Sequence, residues 1–436
     1  MMQPGDHIDL DITSVAHGGV FVGRHEGRVV FVPDAIPGER VRVQLTQTGE
    51  KSFWRGETVE VLDASPHRRA HVWRQADIDV PPEQRPGGAD FGHIELDHQR
   101  TLKLEVLHDA LTRMGGLDLK ARMIPIDADD GTRWRTRVSL HVDDEGRTGP
   151  FAARSHRVIE VDDLPLATEA LAAAAADLAG GAPGRIDLVQ PSDGRVRVLA
   201  RPARDKAQPG GGRRGGRRSP RTAAQGATAP RTARSPAREV VVERVGDRAF
   251  RVDAGGFWQV HRSAAAALTE LVTRALPALD PEGLHLDLYG GVGLFAAALG
   301  DAGATRIVSV ESDSRATEHA GENLAEWVGA RAETGRVDRW LPQFRQSAGA
   351  GELDRLRHGA VVLDPPRSGA GADVVRELAA LAPASIVYVA CDPVALARDL
   401  KTFGESGYEA TEVTAVDLFP NSHHVEAVAA LRRVEG

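Results

Sequence analysis

At 436 residues the chain is long enough for two or three domains with ample core, and its single cysteine, Cys391, excludes an internal disulfide. No apolar run approaches 18 residues and no signal-peptide pattern is present, which excludes a membrane span and leads us to expect a soluble, cytoplasmic protein in a reducing compartment. The formal net charge of −8 is unusual for a nucleic-acid binder until its distribution is seen. Arg204 to Arg238 carry nine Arg and one Lys against one Asp, +9 in 35 residues, which leaves −17 elsewhere.

In chain order, residues 8 to 62 show short alternating runs (Ile8 to Ile12, Arg28 to Val32, Val41 to Leu45, Thr58 to Leu62) split by Gly and Pro turns. Five or so short strands in that length predict a small OB-like barrel. Met1 to Arg68 hold seven Lys/Arg against ten Asp/Glu, a net of −3 that by itself argues against nucleic-acid binding by this part unless a local patch carries it. Gln99 to Met114 has helical spacing at Leu102, Val106, Leu107 and Leu111. Trp134 to Val142, His156 to Val161, Arg185 to Val189 and Arg195 to Leu199 read as strands, which gives a mixed α/β insert. The stretch Arg204 to Arg238 is rich in Gly, Pro, Ser, Ala and Thr, lacks any large apolar residue, and is expected to be disordered. It is either a tolerated insertion or a basic flap that scans RNA phosphates.

Four motifs follow. Leu286 to Phe295 runs from a short apolar strand through Gly290, Gly291 and Gly293 into an Ala-rich helix. Such glycines let a nucleotide-like ligand approach the backbone at the carboxyl edge of a parallel sheet. The third glycine of the dinucleotide fingerprint is replaced by Ala296, and Glu311 ends the next strand (Arg306 to Val310), where a carboxylate can accept both ribose hydroxyls. That pairing suits S-adenosylmethionine better than NAD. Second, Val361 to Arg367 ends a strand in Asp364-Pro365-Pro366-Arg367, which fixes Asp364 at the same edge. Third, Cys391 lies between an apolar run (Ser385 to Ala390) and a helical one (Val394 to Phe403). The helix dipole there is expected to lower the thiol pKa, although a buried cysteine serving as a small hydrophobe is the plainer alternative. Fourth, Asp417 to Glu426 contains His423 and His424, whose side chains on a strand point to opposite faces, so no metal site is expected. Burial of Glu426 beside Val425 to Leu431 would raise its pKa and suit it as a proton acceptor.

Together these motifs resemble those of the RNA uracil-5-methyltransferases, over nearly the whole chain. Phe257-Trp258-Gln259-Val260-His261 matches a further motif of that family, and His17-Gly18-Gly19, Phe31-Val32-Pro33 and Pro37 to Val41 resemble its RNA-carrying TRAM domain. The resemblance implies a class I, Rossmann-like α/β methyltransferase domain behind an OB-like barrel and a mixed α/β central domain. The expected division is 1–66 barrel, 67–203 central domain, 204–238 basic linker and 239–436 catalytic domain. It implies S-adenosylmethionine held by Gln259, Asp287, Tyr289, Gly291, Gly293, Glu311 and Asp364. Cys391 is implied as nucleophile at uracil carbon 6, Glu426 as the base that removes the carbon 5 proton, and Asp364 as the residue that orients the ring or the cofactor. Phe257, Arg135, Arg137 and Arg367 are the implied RNA contacts.

Two departures stand out. Many members hold an iron–sulfur cluster on four cysteines, but the matching stretches here, Val80 with Pro86 to Ala89 and Val161 to Pro165, contain none, so no cluster is expected. Leu294 and Arg336 stand where polar cofactor-facing residues are common. The expected activity is methylation of carbon 5 of a uridine, in rRNA rather than tRNA, by a monomer working through a covalent Cys–uracil adduct. A cytosine-5 RNA methyltransferase, which normally carries a second cysteine, and a silent RNA-binding relative remain the alternatives.

Overall fold

Alternation of apolar and polar residues builds the first unit. Ile8, Leu10 and Ile12 point inward along β1 (His7–Ala16), and the same period-two burial runs through β2 (Val20–His25), β3 (Arg28–Val32), β4 (Arg40–Gln47) and β5 (Phe53–Asp63). The five strands close into a barrel of order β1-β2-β3-β5-β4. The computed structural model describes residues 2–49, 52–126, 130–178, 180–203 and 235–434, so most of the basic stretch expected to be disordered lies outside the described residues.

The helix read from Gln99 to Met114 is α1 (Leu96–Ala110), ending in a π-turn over Leu111–Gly115 and left-handed Gly116. The chain then sends β6 (Arg122–Pro125) to the far edge of the catalytic sheet before forming the central domain. That domain is an antiparallel sheet of order β10-β9-β7-β8, from β7 (Arg137–Val142), β8 (Thr148–Gly149), β9 (Gly184–Val189) and β10 (Arg197–Pro202), with α2 (Glu169–Ala176) capped by the Thr168 hydroxyl. His156 to Val161 is not a strand: only Val158 is buried, and it bridges Phe151 alone. His156, Arg157 and Glu160 are exposed, so the run has no continuous apolar face to bury against a neighbour.

A hairpin, β11 (Val240–Val245) and β12 (Arg248–Asp253), leads through a loop into α3 (Ala264–Ala275) and the Rossmann-like core. There β13 (His285–Leu288), α4 (Leu294–Asp301), β14 (Ile307–Glu311), α5 (Ser314–Asn323), β15 (Ala330–Thr334), α6 (Val337–Ser347), α7 (Ala350–Arg357), β16 (Ala360–Leu363), α8 (Ala372–Leu381), β17 (Ser385–Ala390), α9 (Pro393–Glu405), β18 (Tyr408–Asp417) and β19 (Glu426–Arg433) follow. The eight-stranded sheet has the order β15-β14-β13-β16-β17-β19-β18-β6. β13 to β17 are parallel, and β19 inserts antiparallel to both β17 and β18.

Successive strand residues face opposite cores, which is why β13, β16 and β17 are buried at every position; β16 and β17 are almost wholly apolar, while β13 carries His285 and Asp287. Leu363, Ile386 and Tyr388 pack with α6, α8 and α9, while Val362, Val387 and Val389 pack with α3 and α4. Among the described residues no helix is long and apolar enough to cross a membrane.

Candidate active site

In a parallel sheet, ligands bind beyond the carboxyl ends of the strands where the winding reverses. Here that point lies between β13 and β16, which are neighbours although far apart in sequence. The turn after β13 requires left-handed backbone at Tyr289 (φ 63°), Gly291 (φ 55°) and Gly293 (φ 92°). At Gly290 a Cβ would lie 2.1 Å from Ser309 Oγ and 2.5 Å from Asp287 Oδ2, so only glycine fits; above Gly291 the space is open.

Asp287 pins this turn from beneath. Its Oδ2 accepts from the Ala296 amide (3.1 Å) and the Ser309 hydroxyl (3.0 Å), while buried Oδ1 has no partner among the described residues. Burial pushes the carboxyl up to about 7. Glu311 Oε2 accepts from Gly291 N (3.2 Å) at the end of β14, and its Oε1 accepts from Ser312 Oγ and Asp313 N. The open glycine turn, flanked by a carboxylate and the half-buried Tyr289, fits a nucleoside-bearing cofactor. Leu294 is buried in the first turn of α4, and Arg336 pairs with Asp338 (2.8 Å) beside Tyr289.

Cys391 emerges half-buried from β17. Register brings a partner to it: Ala390 faces Ala427, so Cys391 and Glu426 leave the β17–β19 ladder side by side. The expected lowering of the thiol pKa is not found. Asp392, not Cys391, caps α9, accepting from Ala395 N at 2.8 Å, so a carboxylate already answers the helix dipole. Burial first, then the Glu426 and Asp364 charges, push the thiol up to about 12, with Arg367 opposing. Glu426 is 6% exposed, and burial followed by the Asp364 charge holds it well above the ordinary carboxyl range. Asp364, whose amide donates to Leu288 O at 3.2 Å, is raised to about 7 by burial and by Asp287.

The loop before Glu426 is held from three sides. Asn421, fully buried with φ 64°, donates to Gly131 O (2.7 Å) and accepts from Arg69 Nη2 (2.6 Å) and Gln99 Nε2 (2.9 Å). Lys103 and Arg100 of α1 bind Asp417 at 2.6 and 3.0 Å. His423 Nδ1 meets Asp90 at 2.7 Å. Burial, His423 and Arg367 lower His424 to about 3, so it is neutral, and its Nε2 accepts from Arg367 Nη2 at 3.2 Å. From the barrel, His17 reaches Asp392, and Gly19 packs on the His423 ring. Cys391, Arg367 and His424 thereby share a cavity of about 70 Å³ with His17 and Gly19.

The Phe257 loop joins the central domain. Thr136 donates to Val260 O through both its amide and its hydroxyl, and Trp134 stacks on His261. Phe257 itself is 74% exposed, and Gln259 is half-buried. Arg137 is spent internally, on Glu243 (3.2 Å) and the carbonyls of Ala254 and Gly256. Arg135 is different: its Nε donates to Arg137 O, and the nearby charge is Arg367, another cation.

Several positioning residues escaped sequence reasoning. Asp399 of α9 accepts from the Tyr388 hydroxyl (2.7 Å) and Ala370 N (2.7 Å), steadying the loop after Arg367. An acid spaced among Leu396, Leu400 and Phe403 on a buried face was its available signal. His17 and Asn421 had none, because their partners are remote in sequence.

A glycine turn with an acid on the next strand, at the switch point of this sheet, defines a Rossmann-like methyltransferase. The chain matches the TRAM domain over residues 2–59 and the family described as tRNA (Uracil-5-)-methyltransferase over residues 241–434. It is 36% identical to an uncharacterized RNA methyltransferase of Streptomyces avermitilis, covering 98% of each chain. It is 27% identical to the 23S rRNA (uracil(1939)-C(5))-methyltransferase RlmD of Shewanella denitrificans, covering 98% of this chain and 96% of that one. The fold is shared with the tRNA (uracil-54, C5)-methyltransferase of Pyrococcus abyssi, solved with S-adenosyl-L-homocysteine (TM-score 0.66, 20% identity, 97% and 100% covered). The chain belongs to the RNA (uracil-5-)-methyltransferase family, whose members depend on S-adenosylmethionine.

Proposed function

We propose that the protein methylates carbon 5 of one uridine in rRNA through a covalent adduct at Cys391. The observation that carries this reading is the register placing Cys391 beside Glu426 at the sheet edge that also bears Asp364. The rRNA assignment is supported by the Shewanella relative, aligned along nearly the full length.

Carbon 5 of uracil is too weak a nucleophile to take a methyl group unaided. Addition of Cys391 Sγ to carbon 6 makes an enolate that is strong enough. Bound at the glycine turn by Glu311, Tyr289 and Gln259, S-adenosylmethionine supplies an electrophilic methyl group. Asp287 holds that turn, and Asp364 orients the ring edge. Glu426 then removes the carbon 5 proton, the electrons re-form the carbon 5–carbon 6 double bond, and Cys391 leaves. Two protons move in this cycle, from the thiol and from carbon 5, and Asp364 and Glu426, ionised in the RNA complex, stand near to receive them, their raised pKa making each carboxylate a stronger base. Since the free thiol is held up to about 12, the thiolate forms in the RNA complex. Arg367 is the cation favouring it. Phe257 is the exposed face for an unstacked base, with Arg135 beside it, whereas Arg137 carries the Phe257 loop.

Nucleoside mapping of RNA from a deletion strain tests the reading. Loss of 5-methyluridine at one or two rRNA positions is expected; unchanged rRNA, with loss confined to tRNA, would move the substrate, and no loss anywhere would end the assignment.

A further inference from the structure

Beside the catalytic pocket lies a much larger cavity, of which the reaction above uses only the rim at Phe257 and Arg135. It measures about 730 Å³, within the roughly 300–1,000 Å³ of ordinary ligand sites, and opens between the face of β7 and β9 and the Phe257 loop. Its walls combine three chemistries. Phe151 lies stacked on His141 with centroids 3.6 Å apart, and Phe257 stands exposed at the rim. Trp73 adds its indole, whose enclosed N–H has no acceptor among the described residues. Five arginines line it: Arg137 and Arg154 pair with Glu243 and Glu57, Arg185 Nε and Arg201 Nε both donate to Asp187, and no acid pairs with Arg135 among the described residues. The cavity wall therefore has an excess of positive charge over an aromatic floor.

Two further features tie it to RNA. Arg135 lines this cavity and is close enough to Arg367, which lines the Cys391 pocket, for their charges to oppose each other. The chain also leaves the cavity wall at Arg201 and returns at Ala237, whose carbonyl accepts from Gly255 N on the wall. The sequence between those points, largely outside the described residues, carries the +9 run.

A uridine drawn out of its stack leaves its neighbours without stacking partners, and single-stranded RNA is held by aromatic faces and basic walls. We propose that this cavity is a second nucleotide pocket, which takes an unstacked base adjacent to the target uridine in the same strand and holds its phosphate on Arg185 and Arg201. The inference rests on the uridine-methylation reading and names a further part of its substrate.

Two variants test it. Ser139→Trp fills the cavity from β7, where Ser139 is exposed, and Arg185→Gln with Arg201→Gln removes charge while leaving Asp187 hydrogen-bond partners. Each is expected to raise KM for an RNA oligonucleotide about tenfold, with kcat within about twofold and KM for S-adenosylmethionine unchanged. Replacing one nucleotide next to the target by an abasic residue should weaken the wild type equally and the variants no further. Unchanged KM in both folded variants, or abasic losses that add fully to theirs, would overturn the pocket. Fluorescence anisotropy of the same labelled oligonucleotide reads binding without turnover. Failure of the wild type to methylate would therefore count against the proposed activity, while equal anisotropy-derived Kd for wild type and variants would count against the cavity.

Discussion

His17 Nε2 lies 2.9 Å from Oδ2 of Asp392, so the first hairpin of the barrel grips the residue that follows Cys391. Asp392 also caps α9, and one carboxylate therefore joins the barrel, the Cys391 loop and the helix behind it. The barrel's contribution is more than RNA affinity: its loop forms a wall of the Cys391 pocket.

Removing that grip should act on catalysis more than on stability. The hydrogen bond to Asp392 raises the His17 pKa, so the charged contact is full at low pH and is lost as pH rises through the folded value. His17 is about half exposed, and the pair is worth no more than about 0.5 kcal/mol after solvent screening. His17→Ala is expected to lower kcat/KM for RNA several-fold with Tm nearly unchanged, the deficit shrinking toward alkaline pH. A deficit independent of pH would show that the ionised pair is not what matters.

The α1 contact should behave in the opposite way. Asp417 is fully buried and held below the ordinary carboxylate range, against burial, by Lys103 and Arg100. Burial holds Lys103 itself below the ordinary lysine value despite Asp417, so the carboxylate, with two cations, is the better served partner. Lys103→Met leaves Asp417 with Arg100 alone and should cost about 3 kcal/mol in urea unfolding, with Asp417→Leu in the same chain restoring much of it. Since the folded Asp417 pKa is depressed, its contribution is present at neutral pH and lost as pH falls through that folded value. A Lys103→Met protein as stable as wild type at pH 7 would contradict the pairing.

Much of this was legible in the chain. Period-two burial gave the barrel strands, and glycine density gave the left-handed turn after β13. β2 was harder to see because Gly23 stands where an inward side chain would: a Cβ there would be 2.5 Å from Leu10 Cγ. The electrostatics of Cys391 were not legible. The local signal, a thiol before a helix, was right about place and wrong about charge, since Asp392 occupies the dipole and Glu426 arrives from another strand. Arg135 and Arg137 look equivalent two positions apart, but only the fold shows one turned to Glu243 and the other toward Arg367.

Thiol reactivity tests that electrostatic picture directly. With Cys391 pushed up to about 12, iodoacetamide should alkylate the free enzyme slowly through pH 9, its rate still climbing with pH. Glu426 is the largest charge raising the thiol pKa, so Glu426→Gln should lower it and speed alkylation at fixed pH. Wild-type alkylation that levels off near pH 8 would show an ordinary exposed thiol instead.

Covalent catalysis makes the sharpest demand. RNA carrying 5-fluorouridine at the target should accept a methyl group and then stall, because fluorine at carbon 5 cannot leave as a proton. The Cys391–RNA bond should then survive denaturing electrophoresis. Cys391→Ala should lose both adduct and turnover while still binding S-adenosylmethionine, because Glu311 and the glycine turn belong to β13 and β14 rather than to the β17 edge. Glu426→Gln should methylate unmodified RNA once and hold it as the same covalent species, since only removal of the carbon 5 proton is blocked. Turnover by Cys391→Ala would rule out the adduct. Normal turnover by Glu426→Gln would leave the adduct standing and pass the base to Asp364, the other raised carboxyl beside the thiol.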